Sequence, residues 1–177
     1  MRTGIMVIWL VCVGLSLAAQ LYSTQSGKIL VSGKYNGAGV AAVSNSLQMQ
    51  INYDRAEMQM RLVIPTILSD NDSLNLLLQK LSESEAHFTG KMNINYVQTK
   101  SHANQKFKTD GTLTINGMSR AFSFFSLLKH FPRGNVSCDF SAAFIIDLND
   151  FGIITEPGEN RIAIRFTQLI VKKPGEQ

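Results

Sequence analysis

Gly111-Thr-Leu-Thr-Ile-Asn-Gly-Met-Ser-Arg120, running on into Ala121-Phe-Ser-Phe-Phe125, carries the strongest structural signal in the chain. Thr112 and Thr114 alternate with Leu113 and Ile115, the period-2 pattern of a strand buried on one face. Asn116-Gly117 follows, and this pair tolerates positive φ at both positions, as a two-residue hairpin turn requires. Past the turn, Phe122, Phe124 and Phe125 place aromatic rings on both faces of the returning strand. Such a strand either buries both faces or keeps one for an apolar ligand.

The same alternation recurs outward from this hairpin. Ala56, Met58, Met60, Leu62 and Ile64 sit at every second position, with Glu57, Gln59 and Arg61 between them. Phe88, Gly90, Met92, Ile94 and Tyr96 repeat the pattern, then Phe107, Thr109, Gly111, Leu113 and Ile115. Val136, Cys138, Phe140, Ala142, Phe144 and Ile146 form one face of a further strand. Arg161 to Val171 makes the last strand, in which Ile162, Ile164 and Phe166 share a face while Leu169 and Val171 fall on the other. One helix interrupts the series: Leu74, Leu77, Leu78 and Leu81 have helical spacing, and Ser69-Asp-Asn-Asp72 offers N-cap residues. With only Lys80 as a basic residue, that helix reads as a plug or lid rather than a membrane anchor.

The expected fold is therefore mainly β: an antiparallel closed β-barrel or a sandwich, with one short helix as plug or lid. Closure removes exposed sheet edges, and a barrel of about eight strands can hold a small apolar ligand. Gly90 and Gly111 fall on apolar faces, where glycine marks a sharp bend or a close approach.

Residues 1–19 read as a secretory signal peptide: Arg2, an apolar run from Ile5 to Leu17, then the small residues Ala18 and Ala19. An uncleaved anchor is the other reading of this segment. Cleavage leaves one domain, residues 20–177, with no stable membrane span and a periplasmic or secreted location. It also leaves Cys138 as the sole cysteine, so no intrachain disulfide forms. Losing the single charge of Arg2 takes the formal net charge from +4 to +3. The basic residues are scattered and carry no interleaved aromatics, which argues against nucleic acid as a partner.

Catalytic and metal-binding patterns are missing from the sequence. His87, His102 and His130 lack the spacing that brings two ligands to one face, so no metal site is expected. No nucleophile elbow, phosphate-binding loop or dinucleotide fingerprint occurs. Asp147 and Asp150 are a tempting carboxylate pair, but they suit a strand-ending turn better than catalysis. Asn71-Asp-Ser73 and Asn135-Val-Ser137 match the glycosylation sequon.

Taken in order, three segments carry a resemblance. Gly111-Thr-Leu-Thr-Ile-Asn-Gly-Met-Ser-Arg120 closely resembles the Gly-x-Leu-Thr-Ile-x-Gly-x-Thr/Ser-Lys/Arg signature of the YceI-like family of exported lipid-binding proteins. His87-Phe-Thr-Gly-Lys91 resembles the strand that precedes this signature, and Phe144-Ile-Ile-Asp-Leu-Asn-Asp-Phe-Gly-Ile153 the segment that ends in Asp-Phe/Tyr-Gly-Ile. The similarity runs roughly from Ala56 to Lys173. The family's Trp-x-Ile-Asp-x-x-His-Ser opening is absent, replaced by Leu21-Tyr-Ser and Lys28-Ile-Leu-Val31. What the resemblance implies is a lipocalin-like barrel without catalytic residues, commonly periplasmic, whose cavity holds polyisoprenoid chains such as isoprenoid quinones.

The expected function is accordingly an exported, non-enzymatic carrier of an apolar lipid, with no cofactor beyond a bound isoprenoid or quinone. A homodimer is the one protein partner left open. The expected cavity lining is Met60, Leu62, Ile94, Tyr96 and Leu113, together with Ile115, Phe122, Phe124, Phe144 and Ile146. Arg61 and Arg120 are candidates for contact with a head group. The competing reading is a structural or protein-interaction barrel, its core filled by its own ten phenylalanines and seven methionines.

Overall fold

A computed structural model describes residues 21–81, 84–100, 104–131, 137–153, 156–166 and 169–171. The leader segment, His102 and Asn135 lie outside them. The elements in order are β1 (Leu21–Tyr35), β2 (Ala38–Asn52), β3 (Glu57–Val63), β4 (Leu68–Ser69), α1 (Asp72–Lys80), β5 (Glu85–Met92), β6 (Gln105–Ile115), β7 (Met118–His130), β8 (Cys138–Asp147), β9 (Arg161–Phe166) and β10 (Leu169–Val171). Strand order is β1-β9-β8-β7-β6-β5-β3-β2, and β1 pairs with β2 to close the ring. The short β4 pairs with β2, and β10 pairs with β8. All pairings are antiparallel, so the expected lipocalin-like barrel is the fold.

Both Asn-Gly pairs make hairpin turns. Asn116 and Gly117 have φ of 52° and 75°, and Asn36 and Gly37 of 50° and 77°, so all four sit in the left-handed region. The second of these turns joins β1 to β2, the two longest strands at 15 residues each. The tip of that hairpin is held from the connection that leads into β9, the strand next to β1. Glu159, itself 7% exposed, accepts hydrogen bonds from the backbone N–H groups of Asn36 and Gly37.

One kink shapes the wall. Gly90 lies directly opposite Gly111 in the β5–β6 ladder, and the Phe88 ring covers both. A Cβ at Gly111 would fall 2.3 Å from the Thr89 carbonyl oxygen and 2.6 Å from Gly90 Cα, so only glycine permits this approach. β9 and β10 follow β8 with a one-residue register shift: Arg165 faces Ala143, whereas Leu169 faces Phe140.

The two ends of the barrel differ. The upper end carries both Asn-Gly turns, α1 and the 148–160 connection; the lower end carries the β2–β3, β5–β6 and β7–β8 connections. Large side chains fill the lower half. Tyr53, Met58, Met92, Leu128 and Phe140 are at most 1% exposed there. The Tyr22 and Tyr53 rings stand 4.1 Å apart, and His130 meets Tyr53 edge-on at 5.7 Å. Burial pushes the Tyr53 phenol well above its usual pKa.

Helix α1 does not enter the barrel, contrary to the plug reading. None of its residues is fully buried. Leu74 and Leu78 turn inward, but Leu77 and Leu81 remain 48% and 42% exposed. Its start is fixed beside the upper end by polar bonds. Asn71 Oδ1 accepts from Leu74 N at 2.9 Å, and the Asn75 amide donates to Ser69 O while accepting from Ser69 N. A short edge helix tied this way gains more from capping than from depth.

Candidate functional site

The upper half of the barrel is hollow. A cavity of about 100 Å³, partly open to solvent, lies between β1, β2, β3, β5, β6, β8 and β9, walled almost entirely by aliphatic and aromatic side chains. Met60, Leu62, Leu113, Ile115, Phe144 and Ile146 line it, as their alternation on β3, β6 and β8 predicts. Period-2 geometry sends those side chains inward while their neighbours face solvent. Ile29, Leu47, Ile67, Phe88, Ile164 and Phe166 complete the buried wall, and Val31, Ile64, Ala86 and Ile162 are only partly buried.

Four expected lining residues are placed elsewhere. β5 ends at Met92, where Asn93 N donates to Lys108 O and Asn93 Oδ1 accepts from Lys108 N. The chain then bends, and Val97 rather than Tyr96 becomes buried, with its N–H bonded to Tyr53 O. Tyr96 is thereby 62% exposed, and Ile94 lies beyond the strand end, partly buried at the lower end. Phe124 is 4% exposed and packs edge-on against Phe88 at 5.2 Å, so it is solid core. Phe122 does point inward, yet it borders a cleft in the wall rather than the cavity. Phe125 points outward and is 73% exposed, which settles the orientation of β7.

The cavity itself offers little polar chemistry. Arg61 and His87 border it on neighbouring strands, but both are engaged by Glu85. Arg61 Nε donates to Glu85 Oε2 at 2.9 Å, and the hydrogen bond from Arg61 holds the Glu85 carboxyl below its ordinary pKa, with His87 adding to the effect. Arg120 is exposed at the upper rim and donates to its neighbour's carbonyl, Ser119 O. Neither arginine reaches into the apolar space as a free partner for a head group. Asp147 serves a turn, as expected: Oδ1 accepts from Asn149 N at 3.0 Å and Oδ2 from Asn160 Nδ2 at 2.7 Å. Among the described residues, no three His, Cys, Asp or Glu side chains form a group able to hold a metal ion. No helix among them is long and apolar enough to cross a membrane.

Ile29, Val31, Leu47, Ile67 and Ala86 of the wall escaped the sequence reading. β1 and β2 were legible in principle: Leu47, Met49 and Ile51 alternate with Gln48 and Gln50, and Asn36-Gly37 has the same turn chemistry as Asn116-Gly117. Ile29 and Val31 follow from pairing β1 with β9, where Ile29 faces Phe166 and Val31 faces Ile164. Ile67 follows a 3-10 turn, a conformation without a two-residue period, so no alternation marks it.

No protein-family model matches the sequence, and no curated protein matches it. Its fold, however, is similar to solved structures. One is a polyisoprenoid binding domain from Saccharophagus degradans implicated in plant cell wall breakdown. The likeness covers 88% of this chain and 99% of that domain, with 13% identity and a TM-score of 0.67. Another is BcnA from Burkholderia cenocepacia, covered over 83% of this chain and 96% of that one, with 14% identity and a TM-score of 0.59. At such identities the likeness establishes the barrel architecture.

Proposed function

We propose that this chain is an exported, non-enzymatic lipid-binding barrel of the YceI-like type, holding the apolar chain of an isoprenoid or isoprenoid quinone in its upper half. The observation that carries the reading is the apolar cavity of about 100 Å³ beside a fully packed lower half. A barrel that needed only a core would fill both halves, because unfilled space forfeits dispersion contacts. The likeness to a polyisoprenoid binding domain and the three ordered sequence motifs support the same reading.

Size bounds what the cavity takes as it stands. An engineered apolar cavity of about 150 Å³ accommodates benzene, so about 100 Å³ suits a group near the size of one prenyl unit. Burying such a unit is worth about 4 kcal/mol at roughly 0.8 kcal/mol per carbon. Association entropy offsets much of this, so useful affinity requires that more of the chain be buried. A longer ligand therefore displaces side chains at the hollow end, while the packed lower half limits its depth.

The test is organic extraction of the protein purified from its native host compartment, followed by mass spectrometry and titration with prenyl alcohols of increasing length. The expected result is a co-purifying prenyl lipid and affinity that rises with chain length before levelling off. Repeatedly empty extracts with no binding of any prenyl alcohol would refute the proposal and favour the self-filled structural barrel.

A further inference from the structure

The barrel wall has a window between β7 and β8. The β6–β7 ladder runs the whole length of its strands, from Gln105–Leu128 to Ile115–Met118, and β8 pairs with β9 from Ala143 to Asp147. The β7–β8 ladder, in contrast, covers only Ser126–Ala142 to His130–Cys138. Continued at the same register, it would place Phe124 opposite Phe144, yet residues 121–125 and 143–147 form no pairs with one another. Below, the window is bounded by that ladder. Above, Met118 packs on Gly152, beyond the turn that follows β8.

Side chains close the window in place of backbone hydrogen bonds. Phe144 stands 5.1 Å from Phe122 and 5.0 Å from Phe124, ring to ring, and 5.7 Å from Phe166. Phe166 borders the inner cavity on one side and, on the other, an outer cleft of about 540 Å³. Phe125 and Ile145, 73% and 53% exposed, flank the opening on the outer face. Lys106 and Arg165 stand at the edges of the cleft, and among the described residues neither pairs with a carboxylate. The acidic neighbour Asp110 is already held by Lys108 at 2.6 Å. Ser126 lines the cleft at 6% exposure, and its buried Oγ has no hydrogen-bond partner.

We infer that the window is the entry and head-group site for a single-chain amphiphile with an anionic head, a carboxylate or phosphate. The head would sit between Lys106 and Arg165 on the outer face. Its chain would pass between Phe122 and Phe144 into the cavity. Two unpaired cations around an apolar cleft complement such a molecule and would gain little from a neutral one. The inference rests on the lipid-binding reading above and adds a route and a charge preference to it.

The experiment compares farnesyl phosphate with farnesol on the wild-type chain and on the Lys106→Glu/Arg165→Glu variant. The expected result is at least tenfold weaker binding of farnesyl phosphate by the variant, with farnesol changed less than twofold. Equal affinities of wild type and variant for farnesyl phosphate would overturn the inference, while loss of both ligands by the wild type would refute lipid binding itself. Inorganic phosphate competing below the millimolar range would also overturn it, since the cleft would then be a plain anion site. Location is read separately by tryptophan quenching in the chain from residue 20 onward, which has no native tryptophan. A lipid spin-labelled near its carboxylate should quench Ala143→Trp strongly and Leu68→Trp, beside α1, weakly. The reverse order would place entry at the upper mouth and refute the window, even if the charge-reversed variant fails to fold.

Discussion

Replacing Gly111 by alanine tests the geometry on which the cavity wall depends. The added Cβ would lie 2.3 Å from Thr89 O, 2.6 Å from Gly90 Cα and 2.8 Å from Phe88 Cζ. Two of these three neighbours are backbone atoms of the paired strand, so no rotamer change relieves the clash. Overpacking in a core whose side chains can yield costs about 1–3 kcal/mol, and a backbone obstacle puts this case at about 3 kcal/mol or more. For a domain of this size each kcal/mol moves Tm by about 2–4 °C, so the melting temperature should fall by roughly 10 °C. The assay is thermal unfolding followed by circular dichroism, with Gly39→Ala as control. Gly39 has no atom within 4 Å of where an alanine methyl would stand and no positive φ, so its replacement should be neutral or stabilise by about 0.4–1 kcal/mol. A Gly111→Ala Tm within about 2 °C of wild type, or an equal loss in Gly39→Ala, would refute the argument. Because Phe88 covers both glycines and lines the cavity, the variant should also weaken binding of a prenyl alcohol.

Three further outcomes follow from named contacts. Glu159→Gln removes the charge that accepts from the Asn36 and Gly37 N–H groups, and should cost about 1.5–3 kcal/mol in urea unfolding. Glu85 and Asp110 are held below their ordinary pKa values, chiefly by hydrogen bonds from Arg61 and Lys108 respectively. Lowered folded-state values mean that their stabilisation is complete above the unfolded carboxylate range and is lost as pH falls through the folded values. Glu85→Gln/Asp110→Asn should therefore melt below wild type at pH 7, and the difference should vanish under acid; a pH-independent difference would contradict the assignment. Ala86→Leu places three further carbons in the cavity and should weaken prenyl binding at least tenfold by titration, with unchanged or higher stability.

What the sequence reveals is limited by the range over which each signal acts. Alternation on β3, β6 and β8 reports faces directly, so Met60, Leu62, Leu113, Ile115, Phe144 and Ile146 were legible as one cavity wall. Alternation does not report where a strand stops. Ile94 and Tyr96 kept the rhythm of β5, but the Asn93–Lys108 bonds turned the chain before they could enter the barrel. β7 has apolar residues on both faces, so only pairing with β6 and β8 decides that Phe122 and Phe124 point in and Phe125 out. The ordered motifs from His87, Gly111 and Phe144 anticipated the barrel, whereas the window could not be foreseen. It is an interruption in pairing between strands that each look regular alone.

Cavity and window share a physical cause. In the lower half the interior positions are taken by Tyr22, Tyr53, Met58, Met92, Phe107 and Phe140, whose bulk spans the barrel. In the upper half they are taken by Val31, Ile64, Ala86, Leu113, Ile115 and Ile162, which are too short to meet across it. Besides Phe88, which lies over the two glycines, the large rings there, Phe122, Phe144 and Phe166, stand at the window that the missing β7–β8 ladder leaves open. Turning Phe122 and Phe144 outward would break no backbone hydrogen bond between β7 and β8, because none is formed at their level. It would enlarge the cavity and connect it to the outer cleft in the same motion. Each methylene then admitted adds about 0.8 kcal/mol of burial, against ring contacts worth about 0.5–1.5 kcal/mol apiece. A chain of two or three prenyl units, worth about 8–12 kcal/mol of burial, thus outweighs the contacts it displaces, while a single unit fits the cavity as it stands and displaces none. That difference is why affinity should rise with ligand length rather than saturate at the volume of the closed cavity.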